Sequence, residues 1–226
     1  EICACLVGSE MCIRDRAIAG LYTETCQLVV RADSNIQTLD DLSGHTVSIG
    51  AEESGTERNA TQILEFAGMP SSLVATKNLD YIEATKELKA GDIDAFFCTA
   101  GLTTTVIDEL SKECDIRLIP LTDTVISKML ESSLAYTSEV IPAGTYTGQT
   151  TDINTIGVKS VLITKADVSD DTIEQLTSLL FEKENEISYS NSLKLELTYD
   201  FATDDIPIPF HDGAKRYYKA CGYSTN

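Results

Sequence analysis

The stretch Gly50-Ala51-Glu52-Glu53-Ser54-Gly55-Thr56-Glu57 has the residue types and spacing best suited to binding chemistry. Small and hydroxyl residues lead into a helical pattern, so backbone N–H groups at the helix start, reinforced by its dipole, would meet a carboxylate or phosphate. Ser54, Gly55 and Thr56 would supply two hydroxyls and a backbone that an anion can approach closely. The same letters spell a capping box, Ser54-x-x-Glu57, which satisfies those donors from within. Both readings stand. Glu52 and Glu53 oppose a bare dianion and would receive an ammonium group. The stretch is not a P-loop, because no Gly-Lys-Ser/Thr follows.

A second place for chemistry is Cys98-Thr99-Ala100-Gly101-Leu102, at the end of a strand-like run and before a helical one. In open α/β sheets ligands gather beyond the carboxyl ends of the strands, so this turn and the 51–56 loop would share an edge if their strands are parallel. Cys98 as a nucleophile lacks a base, since neither His45 nor His211 sits in a recognisable motif with it. A buried small hydrophobe is the better reading of that thiol. The two histidines are expected to be structural or solvent-facing. Neither they nor the seven cysteines show paired ligand spacing, so no metal site is expected. There is no G-x-S-x-G, H-E-x-x-H or recognisable carboxylate pair, and catalysis has little support.

The elements that must position these loops alternate in type. Strands are expected at Gln27–Val30, His45–Gly50, Ile93–Cys98, Ile116–Leu121 and Thr155–Thr164. Helices are expected at Glu57–Gly68, Tyr81–Ala90, Thr103–Glu113 and Ser169–Glu186, the last buried through Ile173, Leu176, Leu179 and Leu180, with a short helix at the C-terminus. A turn of helix is expected at Leu39–Leu42, and Pro142–Asp152 (PAGTYTGQTTD) reads as a linker or hinge. The alternation predicts an α/β fold with a mostly parallel sheet.

With 226 residues the chain is long enough for one large domain or two small ones. Its 17 Lys+Arg against 36 Asp+Glu leave a net charge of −19, which would repel a phosphate backbone, so nucleic acid is not an expected partner. No run approaches the length of a membrane span. CLVGSEMCIRDR has the look of translated adapter sequence, so 1–16 is expected to be a non-native leader with the true N-terminus upstream. The scattered Cys26, Cys98, Cys114 and Cys221 are compatible with thiols or with one or two disulfides.

Ile18–Arg31 (IAGLYTETCQLVVR), Asp41-Leu42-Ser43-Gly44 with HTVSIG, Ser54-Gly55-Thr56, Leu88–Phe97 (LKAGDIDAFF), Ile141–Tyr146 (IPAGTY) and PIPFHDGAKRYY, ending at Tyr218, follow one another in an order that resembles the solute-binding subunits of TAXI-type TRAP transporters. The likeness runs from about Ala17 to Gly222. It implies a two-lobed, type II periplasmic-binding-protein-like fold that closes on a small organic anion, glutamate-like or a 2-oxo or dicarboxylate compound. The loaded protein would be handed to TRAP membrane permease subunits outside the cytoplasm, with no cofactor. By the same resemblance 32–152 is lobe 2, 17–31 and 153–226 are what remains of lobe 1, and that first lobe is incomplete. Such an incomplete lobe would leave a sheet edge and apolar face exposed and could bind nothing. The resemblance raises Ser54, Gly55 and Thr56 as ligand contacts, followed by Thr99, Ala100 and Gly101, then Tyr22, Glu24 and Tyr136, with Arg58 as a carboxylate partner. Enzymes and ligand-sensing domains also use this two-lobed scaffold, so they form the alternative reading.

Overall fold

The computed structural model describes residues 2–3, 15–183 and 195–225. Most of the expected leader, and the last residues of the helix expected to end at Glu186, lie outside these. The chain divides into two compact units, one of Glu1–Glu24 with Val158–Asn226 and one of Thr25–Gly157. Two long strands, β2 (Asp15–Arg31) and β8 (Ile153–Lys165), contribute residues to both.

In the second unit the later part of β2 runs antiparallel to β5 (Ala95–Ala100), with Cys26 opposite Thr99 and Val30 opposite Ala95. Its other edge takes β6 (Ile116–Leu118), also antiparallel. Beyond β5 lie β3 (Thr46–Ser48) and then β4 (Ala75–Lys77), both parallel. The sheet is therefore mixed, a correction to the mostly parallel expectation. β2 enters from the other unit, and needs no crossover helix of the kind that would make it parallel to its neighbours. α1 (Gly55–Phe66), α2 (Tyr81–Ala90), α3 (Thr105–Glu113) and α4 (Asp123–Ser132) complete the unit together with β7 (Tyr136–Ile141). Their starts obey local chemistry: Ser54, Asp80 and Thr122 each accept an N–H from the first turn of α1, α2 and α4. α2 stops at Gly91, whose φ of +82° suits a residue without Cβ. Val29, Phe96, Cys98, Ile107 and Leu110 form the core, so Cys98 does behave as a small buried hydrophobe. β4, α4 and β7 were not anticipated.

The 142–152 stretch is no loose linker. Gly144 N–H donates to Gln149 O at 2.9 Å, Ala143 N–H donates to Asp152 Oδ1 at 2.8 Å, and the Gln149 amide reaches the carbonyls of Pro142 and Thr151. Its Gly and Thr content reflects tight turns, with Gly144 and Gly148 both at φ +81°.

In the first unit, β1 (Ile2–Cys3) runs antiparallel to β8, and α5 (Asp170–Glu182), α6 (Tyr199–Thr203) and α7 (Asp212–Ala220) gather around Ile18, Leu21, Val161, Ile173, Phe210 and Tyr218. Aromatic rings reinforce it, Phe181 stacking on Tyr199 with centroids 4.6 Å apart. His211 is buried and caps α7, its Nδ1 accepting the Gly213 N–H at 3.1 Å, while His45 is partly exposed beside Asp94. On α5 the expected burial of Leu176 and Leu179 is corrected: they are 38% and 50% exposed. The buried positions are Ile173 and Thr177, because the Thr177 hydroxyl donates to Ile173 O at 2.7 Å and so can enter the core.

The α5–α7 contact depends on Gly213, where a Cβ would fall 2.2 Å from the Asp170 carbonyl oxygen. Gly213→Ala must push the helices apart. Overpacking of this kind should cost about 3 kcal/mol and lower the melting temperature, as measured by calorimetry; an unchanged melt would mean that α7 docks elsewhere.

Candidate functional site

The 50–57 loop is built around a close approach. Gly50 has φ +100°, and a Cβ there would lie 2.7 Å from Thr56 Cβ, so only glycine lets the chain turn back against its own helix. Glu53 occupies the left-handed region at φ +61°. The capping reading is realised in part. Ser54 Oγ accepts Glu57 N–H at 3.1 Å, while the Glu57 carboxylate reaches back one residue further than the motif implies, to Glu53 N–H at 2.6 Å, and also accepts from Asn78. Arg58 N–H is taken by Ser54 O, whereas the N–H groups of Gly55 and Thr56 have no partner among the described residues. Two donors therefore remain at the positive end of a twelve-residue helix.

Thr56 begins a chain of buried and half-buried hydroxyls and amides. Its Oγ1 lies 2.6 Å from the Tyr81 hydroxyl, which donates to Thr99 O at 2.9 Å and accepts Thr99 N–H at 3.3 Å. Asn59 donates to Thr99 Oγ1 at 3.3 Å, and the Tyr136 hydroxyl lies 3.0 Å from both Asn59 Oδ1 and Gln62 Oε1. The second unit thus brings Ser54, Gly55, Thr56, Thr99 and Tyr136 into one connected region. Tyr136 is turned inward, only 4% exposed. Ala100 ends β5, and Gly101 O accepts the Thr104 hydroxyl at 3.0 Å. Thr104 in turn belongs to a second buried set with Gln27 and Tyr146, whose hydroxyl donates to Gln27 Oε1 at 2.6 Å and whose phenol is raised by burial. Arg58 lies on the partly exposed side of α1 among Glu57, Thr61, Gln62 and Glu65, and its side chain makes no hydrogen bond among the described residues.

Tyr81, Asn59 and Gln62 are the members that sequence reasoning missed. A signal for one existed: Thr56, Asn59 and Ile63 fall at helical spacing on one stripe, and a polar pair on a buried stripe must be paired with something.

Tyr22 and Glu24 belong to the first unit, where the Tyr22 hydroxyl donates to Glu24 Oε1 at 3.2 Å. Glu24 is 8% exposed, and burial pushes its carboxyl up from 4.5 to about 7, the Tyr22 hydrogen bond only partly opposing this. Tyr22 is itself raised, first by burial and then by the adjacent Glu24. Among the described residues no group of three His, Cys, Asp or Glu is placed to hold a metal ion, and no helix is long and apolar enough to cross a membrane.

A carboxyl raised in the folded state binds its proton more tightly than in the unfolded chain. Its stabilising contribution is therefore complete below about pH 4.5, falls as pH rises toward 7, and is gone above it. Glu24→Gln should remove a decline of about 3 kcal/mol across that window and make the variant the more stable protein at pH 8. Denaturant titrations at several pH values measure this; parallel curves for the two proteins would place the Glu24 carboxyl in water.

Among solved structures, the chain is similar to the periplasmic aliphatic sulphonate binding protein SsuA from Escherichia coli, at 14% identity and a TM-score of 0.45, covering 76% of this chain and 48% of that one. It is also similar to a mutant of ArgBP from T. maritima, at 16% identity and a TM-score of 0.46, covering 83% and 63%. The chain thus spans about half to two thirds of the length of these proteins. The model of the NMT1-like family matches residues 14–222, nearly all of the chain. This chain belongs to the NMT1-like family.

Proposed function

We propose that the chain is the solute-binding part of a TRAP-type transport system of the TAXI kind, working outside the cytoplasm and taking a small organic anion such as glutamate or a 2-oxo or dicarboxylate compound. The observation that carries the reading is the pair of N–H donors, Gly55 and Thr56, at the start of α1 that have no partner among the described residues. They suit a carboxylate without metal or cofactor. Ser54 holds the turn as its cap, and Thr56 and Thr99 supply hydroxyls beside it. Ala100 and Gly101 line the neighbouring turn, and Arg58 is the nearby cation. Tyr22, Glu24 and Tyr136 complete the proposed set. The lobes would be 32–152 and 17–31 with 153–226. The ordered motifs from Ile18 to Tyr218 support the TAXI assignment and, with it, the TRAP permease subunits as partners and binding rather than catalysis.

A transport role requires that the ligand favour one conformation of the protein over another, not merely that it bind tightly. The permease would then read the loaded form.

Calorimetry with L-glutamate and 2-oxoglutarate on the complete protein tests the site. Thr56→Ala combined with Ser54→Ala should weaken binding at least about tenfold, more than the roughly 1 kcal/mol that loss of the cap alone takes from stability. Tyr81→Phe should weaken it by about fivefold, since the hydroxyl holds Thr56 and Thr99 in place. Unchanged affinity in both variants would remove this loop from the site.

A further inference from the structure

Arg117 is a cation that backbone carbonyls hold in place. It stands on β6 opposite Val30 of β2, whereas Thr99 stands opposite Cys26, four residues earlier. That separates the two by roughly 13 Å along the strand, at the far end of the unit from the Thr56–Thr99 region. Its Nη1 donates to the carbonyls of Ser34 and Ile36, at 3.2 and 3.0 Å, and Nη2 to Ala32 O at 2.7 Å. A guanidinium carries five N–H donors, so Nε–H and one Nη2–H are left over. Among the described residues Arg117 makes no ion pair, in a chain of net charge −19. Arg31 and Arg216, in contrast, are paired with Asp33 and with Asp170, Asp171 and Glu174.

Arg117 also lines a cavity of about 510 Å³, together with Gln37, Gln149, Thr150, Thr151 and Asp152. The wall is preformed, because Gln149 ties the 142–152 loop to itself through Pro142 O and Thr151 O. The hydroxyls of Thr150 and Thr151 make no hydrogen bond among the described residues, and so are available as donors. Asp152 has one oxygen committed to Ala143 N–H, and its charge sets a limit: it favours a guest with one negative charge over a guest with two.

The geometry points to a second ligand site in this unit, one that takes a small monoanionic carboxylate on Arg117 and the Thr150 and Thr151 hydroxyls. Its position is separate from the proposed solute site, and the inference does not rest on that reading. Charge-assisted bonds from the two spare guanidinium donors supply the attraction, and the carbonyls of Ala32, Ser34 and Ile36 hold the fork in place before the guest arrives.

The test is a titration of the isotope-labelled protein with acetate, and separately with sulfate, at ionic strength held constant with chloride. Side-chain N–H resonances of the arginines are followed by NMR. A saturable shift of the Arg117 Nε–H with acetate is expected, weaker with sulfate and absent at Arg31 and Arg216. Thr150→Ala with Thr151→Ala should weaken acetate binding by about fivefold or more while leaving the melting temperature unchanged. The backbone amides of Thr150 and Thr151 should shift saturably with acetate as well, and Arg117→Lys, which keeps the charge and loses the fork, should abolish that saturation. Small linear shifts at every arginine would mean an adventitious ion only and would overturn the proposal, as would saturable binding that the threonine variant leaves untouched. Movement of the Thr56 and Thr99 amides reports on the other site, so the two readings fail independently.

Discussion

A hydroxyl half withdrawn from water has to find partners, and in the second unit one does so in a way that organises everything near it. The Tyr81 oxygen lies within hydrogen-bond distance of the Thr56 hydroxyl and of both backbone groups of Thr99. Without it, the start of α1 and the end of β5 would be neighbours by fold alone. With it, a helix terminus and a strand end become one polar unit that reaches through Asn59 to Tyr136 on β7. Such a connected set is rigid when every member is satisfied and costly when one is removed, because the survivors stay buried.

The two halves of β2 meet the same requirement differently. Gln27 lies in the second unit and gives both ends of its amide to Thr104 and Tyr146. Glu24, three residues earlier, has the Tyr22 hydroxyl and little else, and its carboxyl stays protonated well above the usual range. One strand thus carries a buried amide that is neutral at every pH and a buried acid that is neutral over only part of the range.

Local chemistry was the legible part of the fold. Helix starts at Ser54, Asp80 and Ser169, the stop at Gly91 and the apolar run in β5 all follow from residues within a few positions of one another. Properties decided at long range were not legible. The antiparallel pairing of β2 with β5 joins residues some seventy positions apart, and no local pattern encodes direction. β2 itself was read as four residues because Thr23, Glu24 and Thr25 interrupt the apolar pattern, although Glu24 and Thr25 are buried. The site divides along the same line. Gly50 and Ser54-x-x-Glu57 announce a tight strand-to-helix turn, but Tyr81 opens a different helix, and only the folded chain brings its ring to Thr56.

β4 closes one end of the strand order with three residues, Ala75, Thr76 and Lys77. An outermost strand is a template on which another chain can lay itself down, and its length sets how firmly a visitor can be held. Three residues provide too few free backbone groups to hold one, and Lys77 places an ammonium group at the end of the ledge, where Glu87 anchors it. This edge of the unit is therefore a poor template for a second copy of the chain.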